Sequence, residues 1–204
     1  LVLKNNKGTE DNRVRKLDYS IQISKLFYER FIQDQEITLF SPHDVPGLYE
    51  SFGTDKFDEL YVRYENSGVP STTVKAQELI LDLLKERAET GRIYIMNIDH
   101  CNTHSSFKDK VEMSNLCQEI TLPTYPIQHI DDHLGEIALC ILSAINVGKV
   151  NSDKELEELC DLSVRALEEL IDYQEYPVKA AEVATKARRS LGVGFIGLAH
   201  YLAK

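Results

Sequence analysis

The chain has little of what marks secreted, membrane-spanning or nucleic-acid-binding proteins. Its four cysteines are widely spaced and form no Cys-x-x-Cys pair, which argues against a secreted disulfide scaffold. No apolar run is long enough to span a bilayer, and no signal peptide is recognisable. The formal net charge of -10 argues against binding to membranes or nucleic acid. We therefore expect a protein of the reducing cytoplasm.

The composition is that of a globular protein with a sizeable core. Of its 204 residues, 43% are hydrophobic and 27% are charged. Internal repeats, low-complexity tracts and a clear linker are all lacking, so the sequence predicts a single domain over residues 1–204. The chain begins with Leu1 and a helix-like run stops at Lys204, so we expect a piece of a longer protein.

Hydrophobic spacing predicts helices and strands that alternate, which is typical of an α/β fold. The predicted strands are Val2-Leu3, Ile37–Phe40, Ile93–Met96, Ser114–Ile120, Ile137–Leu142 and Leu191–Ile196. Four helices are predicted in the first half of the chain: Asp18–Phe31, a short one from Asp44 or Pro46 to Phe52, one after Thr54, and one from a cap at Thr72 or Thr73 to Gly91. Three more are predicted in the second half: one from a capping box at Ser152 to a stop before Pro177, one over residues 178–190, and one over Leu198–Lys204. Residues 97–114 are predicted to be a loop.

The segment Ser114–Ile120 carries the most distinctive chemistry. Asn115, Cys117 and Glu119 occupy alternate positions, so an extended backbone would direct all three to one face. Such a face would present a hydrogen-bonding amide, a redox-active sulfur and a proton acceptor together. A half-buried strand with its polar face in solvent is the simpler alternative, and Cys117 is then an ordinary thiol.

The same segment resembles the active-site finger of class I (aerobic) ribonucleoside-diphosphate reductase, in the large subunit. Three other stretches resemble that family in the same order: SPHDVPGLY at 41–49, TGRIYI at 90–95 with DHCNTHS at 99–105, and GEIALC at 135–140. The resemblance covers essentially the whole chain. It implies part of a ten-stranded α/β barrel, with the finger loop threaded through its centre.

The resemblance also implies roles for individual residues. Cys117 matches the cysteine that becomes a thiyl radical and removes a hydrogen from carbon 3′ of the substrate ribose. Glu119 matches the general base for the 3′ hydroxyl, and Asn115 matches the residue that holds the substrate hydroxyls. All three are expected to bind substrate. Cys140 matches one thiol of the dithiol that supplies two electrons, and its partner is expected upstream of Leu1.

The remaining implications concern molecules outside the chain. The substrate is expected to be a ribonucleoside diphosphate. A metal-containing small subunit is expected to supply the radical, so the chain itself should hold no cofactor and no metal. Nucleotide effectors act on the full subunit, thioredoxin or glutaredoxin restores the dithiol, and the full large subunit forms a homodimer. The relay tyrosines and the cysteines that renew the dithiol are expected downstream of Lys204, so the chain alone should be inactive.

Other motifs have weaker interpretations. His100, Cys101 and His104 with Asp99 imitate a metal site, as does the 129–133 stretch, but both are predicted to be hydrogen-bonded loops. The GVGFIG run at 192–197 fits a dinucleotide motif, yet its glycines lie within a predicted strand. Cys101 and Cys160 have no assigned role, although packing is the simplest one for Cys160. The alternative for the whole chain is a non-catalytic assembly module of a split or truncated reductase.

Overall fold

A computed structural model describes residues 17–204 of the chain. The strand predicted at Val2-Leu3 lies outside the described residues. Spatial contacts divide the chain into two compact units, with the boundary between Thr121 and Leu122. Both units combine helices with strands, as the α/β prediction requires. The single domain over 1–204 stays a prediction.

The first unit contains a pair of parallel strands. Strand β1 (Tyr19–Ile23) pairs with β4 (Ile93–Asn97), and Ser20 lies opposite Tyr94 in the register. Strand β4 confirms the prediction at 93–96. The helix predicted over Asp18–Phe31 is wrong in its first half, because β4 recruits those residues into a sheet from far along the chain.

Helix α1 (Lys25–Ile32) follows β1 directly. The Ser24 hydroxyl caps it by accepting a bond from the Phe27 N–H at 3.4 Å. The Lys25 N–H donates to a carboxylate oxygen of Asp99 at 2.5 Å. The helix therefore begins where two side-chain acceptors meet its first N–H groups.

An antiparallel pair forms a second sheet in the first unit. Strand β2 (Glu36–Phe40), as predicted, pairs with β3 (Ser71–Lys75). The predicted helix cap at Thr72 or Thr73 is wrong, since both β-branched residues lie in β3.

Helix α4 (Ala76–Thr90) begins only after β3. It ends at Gly91, as predicted, where φ of 66° needs a residue without a side chain.

The remaining helices of the first unit are short. They are α2 (Leu48–Ser51), α3 (Lys56–Glu65) and α5 (Ile98–Thr103). The first two confirm the predictions around Phe52 and after Thr54. Helix α5 contradicts the loop predicted over 97–114. These helices contribute to two clusters of buried side chains, which include Leu48, Phe57, Tyr61, Met96, Ile98 and Val111.

The second unit is built on one parallel strand pair and the helix that crosses between them. Strand β5 (Ile141–Asn146) pairs with β6 (Leu191–Ile196). Helix α6 (Asp153–Tyr173) begins at the predicted capping box, where the Ser152 hydroxyl accepts from the Glu155 N–H at 3.2 Å. Helices α7 (Lys179–Arg188) and α8 (Leu198–Leu202) agree with the predictions. Within residues 17–204, no helix is both long and apolar enough to cross a membrane.

The strand predicted over Ile137–Leu142 begins later than expected. Strand β5 starts at Ile141 because the preceding backbone is bonded elsewhere. Glu136 pairs with Tyr125 in an isolated antiparallel bridge, and the Ile137 N–H donates to the Ala180 carbonyl at 3.2 Å. Apolar composition marked this stretch as buried but did not show which partner it would meet.

Candidate active site

The segment that carries Asn115, Cys117 and Glu119 is a turn, and the predicted extended strand is wrong. The Gln118 N–H donates to the Asn115 carbonyl oxygen at 3.2 Å, which closes a four-residue turn. Gln118 adopts a left-handed backbone with φ of 66°, and a regular strand does not contain that conformation. The alternation of side chains along a strand therefore does not apply to Asn115, Cys117 and Glu119.

Asn115 stabilises the turn with its own side chain. Its Oδ1 accepts a hydrogen bond from the Ile120 N–H at 3.0 Å. The Ser114 hydroxyl donates to the Asn115 carbonyl oxygen at 2.9 Å. The Asn115 amide nitrogen carries two further N–H donors. Asn115, Cys117 and Glu119 are all exposed, so an amide, a thiol and a carboxylate share one exposed turn and its flank.

Two glutamines attach this segment to strand β1. The Gln118 side chain donates to the Ser20 hydroxyl at 2.8 Å, and the Gln22 side chain donates to the Glu112 carbonyl at 2.8 Å. Ser20 and Gln22 are two residues apart on a strand, so their side chains lie on the same face of the sheet. The face of β1 that carries them thus supports the Cys117 turn.

Tyr94 contacts the candidate thiol from strand β4. A hydrogen bond with Cys117 raises the pKa of the Tyr94 hydroxyl above its ordinary value, and electrostatic repulsion from the same side chain adds to the shift. Tyr94 lies directly opposite Ser20 in the β1–β4 register. Consecutive residues of the turn, Cys117 and Gln118, therefore contact partners on one rung of the sheet.

The chain that leads into the turn is fixed by Asn102 of helix α5. The Asn102 Oδ1 accepts from the Val111 N–H at 2.8 Å, and its Nδ2 donates to the Val111 carbonyl at 3.0 Å. Val111 is fully buried beside Met96 and Ile98. The turn accordingly projects from a rigid base, although its own residues are exposed.

Cys140 lies in the second unit, one residue before strand β5, and is half-buried. It approaches strand β6 at Gly192. A Cβ atom added to Gly192 would lie 3.2 Å from the Cys140 sulfur and 2.5 Å from Leu142 Cδ2. Gly192 opposes Leu142 in the register. The absence of a side chain at Gly192 thus leaves room for the thiol.

The GVGFIG run at 192–197 agrees with its interpretation as a closely packed strand. Its first glycines lie inside β6, and Gly197 adopts φ of 74° just before α8. A dinucleotide motif needs its glycines between a strand and a helix, whereas here Gly192 and Gly194 lie within the strand.

The predicted metal-like stretches have no metal geometry. Among residues 17–204, His, Cys, Asp and Glu side chains form no group of three or more that could hold a metal ion. His100 and Cys101 belong to helix α5, which contradicts the predicted loop there. Asp132 of the second stretch is buried and accepts backbone bonds from Gln128, Leu134 and Gly135, which shapes that loop.

Sequence reasoning missed the residues that support the turn. Ser20 and Gln22 fell inside a mispredicted helix, and Tyr94 occupied an apolar strand without an assigned role. The polar residues Ser20 and Gln22 at alternate positions of β1 were the available signal. This signal can be recognised only once Tyr19–Ile23 is known to be a strand.

Comparison with known proteins identifies the family. The model of the ribonucleotide reductase barrel domain matches residues 1–204. The chain belongs to this family. Membership confirms that the fold is part of the reductase α/β barrel, and the strands described in 17–204 represent only a portion of it, without closure.

Curated relatives carry consistent names. The chain is 61% identical over 210 residues to ribonucleoside-diphosphate reductase subunit alpha of Haemophilus influenzae and 55% identical to ribonucleoside-diphosphate reductase 1 subunit alpha of Escherichia coli. It is 46% identical over 213 residues to the subunit alpha of Enterobacteria phage T4. Each alignment covers 100% of this chain and 28% of the relative. The chain therefore spans little more than a quarter of their length.

Proposed function

We propose that the chain is the central barrel segment of a ribonucleoside-diphosphate reductase large subunit. The observation that carries the proposal is the exposed turn with Asn115, Cys117 and Glu119, in a chain whose full length matches the barrel domain. A thiol, a carboxylate and an amide within five residues are the groups that ribose activation requires.

Cys117 removes the hydrogen from carbon 3′ in this scheme. Its sulfur, as a thiyl radical, takes the hydrogen atom and becomes a thiol, and the ribose becomes a carbon radical. Glu119 accepts the proton of the 3′ hydroxyl as general base. Asn115 donates from its amide nitrogen to a substrate hydroxyl while its Oδ1 accepts from the Ile120 N–H.

Cys140 provides electrons for the second half of the reaction. The 2′ hydroxyl leaves as water after protonation, and the sugar takes two electrons from a pair of thiols that become a disulfide. The hydrogen held by Cys117 then returns to carbon 3′. All four cysteines are reduced thiols in the structure, and we expect the second thiol of the pair from another part of the subunit.

The proposal requires partners beyond this chain. A small subunit, with its metal centre, supplies the radical, and thioredoxin or glutaredoxin reduces the disulfide. Nucleotide effectors and homodimer formation belong to the complete large subunit.

A chimera tests the proposal directly. The chain replaces the matching segment of Escherichia coli subunit alpha, to which it is 55% identical over 210 residues. With the Escherichia coli small subunit, reductant and effector, we expect the chimera to convert cytidine diphosphate to its deoxy form. Cys117→Ser should abolish turnover, and Cys101→Ala is the matched control that should preserve it.

Two results would contradict the proposal. A folded and dimeric chimera that reduces no substrate would favour the non-catalytic assembly module. Reduction by the isolated chain would contradict the dependence on other parts of the subunit. Circular dichroism and light scattering of the same preparation establish that the chimera is folded and assembled.

A further inference from the structure

We propose that Tyr94 and Ser20 are positioning residues that hold the Cys117 sulfur on the β1–β4 strand pair. The inference rests on the proposed function, since it concerns the same thiol. It adds two residues to which neither the motif resemblance nor the family comparison gives a role. Tyr94 orients the sulfur itself, and Ser20 fixes the backbone on which the sulfur is carried.

The first support is the geometry of the contacts. Ser20 and Tyr94 are partners in the parallel register, so their side chains emerge side by side. Gln118 reaches the Ser20 hydroxyl at 2.8 Å, and the residue before it, Cys117, lies close enough to the Tyr94 hydroxyl to raise its pKa. Two adjacent turn residues are therefore held by two adjacent strand residues.

The second support is the conformation of the turn. Gln118 has φ of 66°, which is uncommon for a residue with a Cβ atom and costs conformational free energy. The bond to Ser20 offsets that cost at the same residue. Without it, Gln118 would relax toward an extended backbone and the exposed Cys117 would change direction.

The strand pair is a suitable rigid platform. Ile23 and Ile93 are buried with Ile80 and Leu83 of helix α4. Gln22 on β1 holds the Glu112 carbonyl at 2.8 Å, three residues before the turn begins. Side chains are positioned more precisely on strands than on free loops. The bonds to Ser20 and Tyr94 therefore fix the position of Cys117 relative to the strand pair.

The contact itself is tested by the ionisation of Tyr94. In the chain labelled with ¹³C at the tyrosine ring carbon that bears oxygen, Tyr94→Phe identifies the Tyr94 signal. We expect this signal to titrate above the ordinary tyrosine range, and Cys117→Ala to lower its midpoint. Tyr28, whose pKa is raised by burial alone, is the internal control and should not move. A Tyr94 midpoint unchanged in Cys117→Ala would overturn the proposal.

The positioning role is tested in the Escherichia coli chimera. Tyr94→Phe and Ser20→Ala should each lower kcat on the order of tenfold with KM for the diphosphate unchanged, because a displaced reactive atom slows chemistry without weakening substrate binding. Unchanged kcat in both variants would contradict the role. If the unsubstituted chimera is inactive, the proposed function fails instead, and the Tyr94 titration alone still decides whether the contact exists.

Discussion

Cys117 and Cys140 are both reduced thiols, yet their surroundings differ. Cys117 is exposed on a turn that is bonded to Ser20 through Gln118 and lies next to Tyr94. Cys140 is half-buried at a strand start, where the missing side chain of Gly192 leaves it space. In the proposed function this difference has a purpose, because a thiol that attacks a substrate atom needs orientation by directed bonds, whereas an electron-donating thiol needs room for its partner sulfur.

The largest expected difference concerns the two halves of the reaction. In the chimera, Cys117→Ser should lower turnover at least about 10³-fold, equivalent to about 4 kcal/mol in the barrier. Cys140→Ser should also stop formation of the deoxynucleotide, but it leaves the Cys117 thiyl able to attack carbon 3′. Loss of tritium from substrate labelled at carbon 3′ therefore separates the two variants. Equal loss of label in both would show that the two thiols do not act at different steps.

The next largest effect is expected from the ion pair between Glu136 and Arg188, which lies close to Cys140 in the sequence. Arg188 contacts Glu136 from Nε at 3.2 Å, and their side chains are only 12% and 18% exposed. Glu136→Ala should lower the free energy of unfolding by about 3 kcal/mol, because it removes a carboxylate that bonds a largely buried guanidinium.

The matched control for Glu136 is Asp161, whose bridge to Arg165 is 61% and 76% exposed at the two side chains. Asp161→Ala should cost less than about 1 kcal/mol. Urea denaturation of the chain measures both variants. Similar losses would mean that the Glu136 pair contributes no more than a surface pair.

The smallest expected effect is that of filling the space beside the Cys140 sulfur. Gly192→Ala places a methyl group 2.5 Å from Leu142 Cδ2 and 3.2 Å from the Cys140 sulfur. Leu142 is 64% exposed and can swing away, so the stability loss should stay near the lower end of the overpacking range, about 1 kcal/mol. Cys140 should be alkylated more slowly because the added methyl shields its sulfur.

Gly194 supplies the control for that experiment. A Cβ atom there meets Ser143 O at 3.9 Å and Ala144 Cβ at 4.0 Å, which are ordinary contacts. Gly194→Ala should leave the alkylation rate of Cys140 unchanged, as followed by mass spectrometry of the peptide that contains it. A Gly192→Ala rate equal to that of Gly194→Ala would show that Gly192 does not control access to the thiol.

Local signals predicted the elements whose causes are local. The capping box at Ser152 and the stop at Gly91 were found in the structure because each depends on neighbouring residues. The strand Ile93–Met96 was found because its own apolar and aromatic residues favour a strand. Strands β1 and β3 were mistaken for helical sequence, since their pairing partners lie far along the chain. The same distinction holds in the candidate site. Asn115, Cys117 and Glu119 lie within five residues of one another, whereas Ser20 and Tyr94, which contact the turn, are distant in sequence.

The amino-acid sequence by itself determined the chemical groups of the candidate site, since an amide, a thiol and a carboxylate within five residues require no folding to be recognised. Only the tertiary structure decided that they lie on a turn and which strands hold it. The physical reason is that the side-chain bond from Gln118 to Ser20 spans 98 residues, so it exists only when the chain has folded to bring the turn against β1.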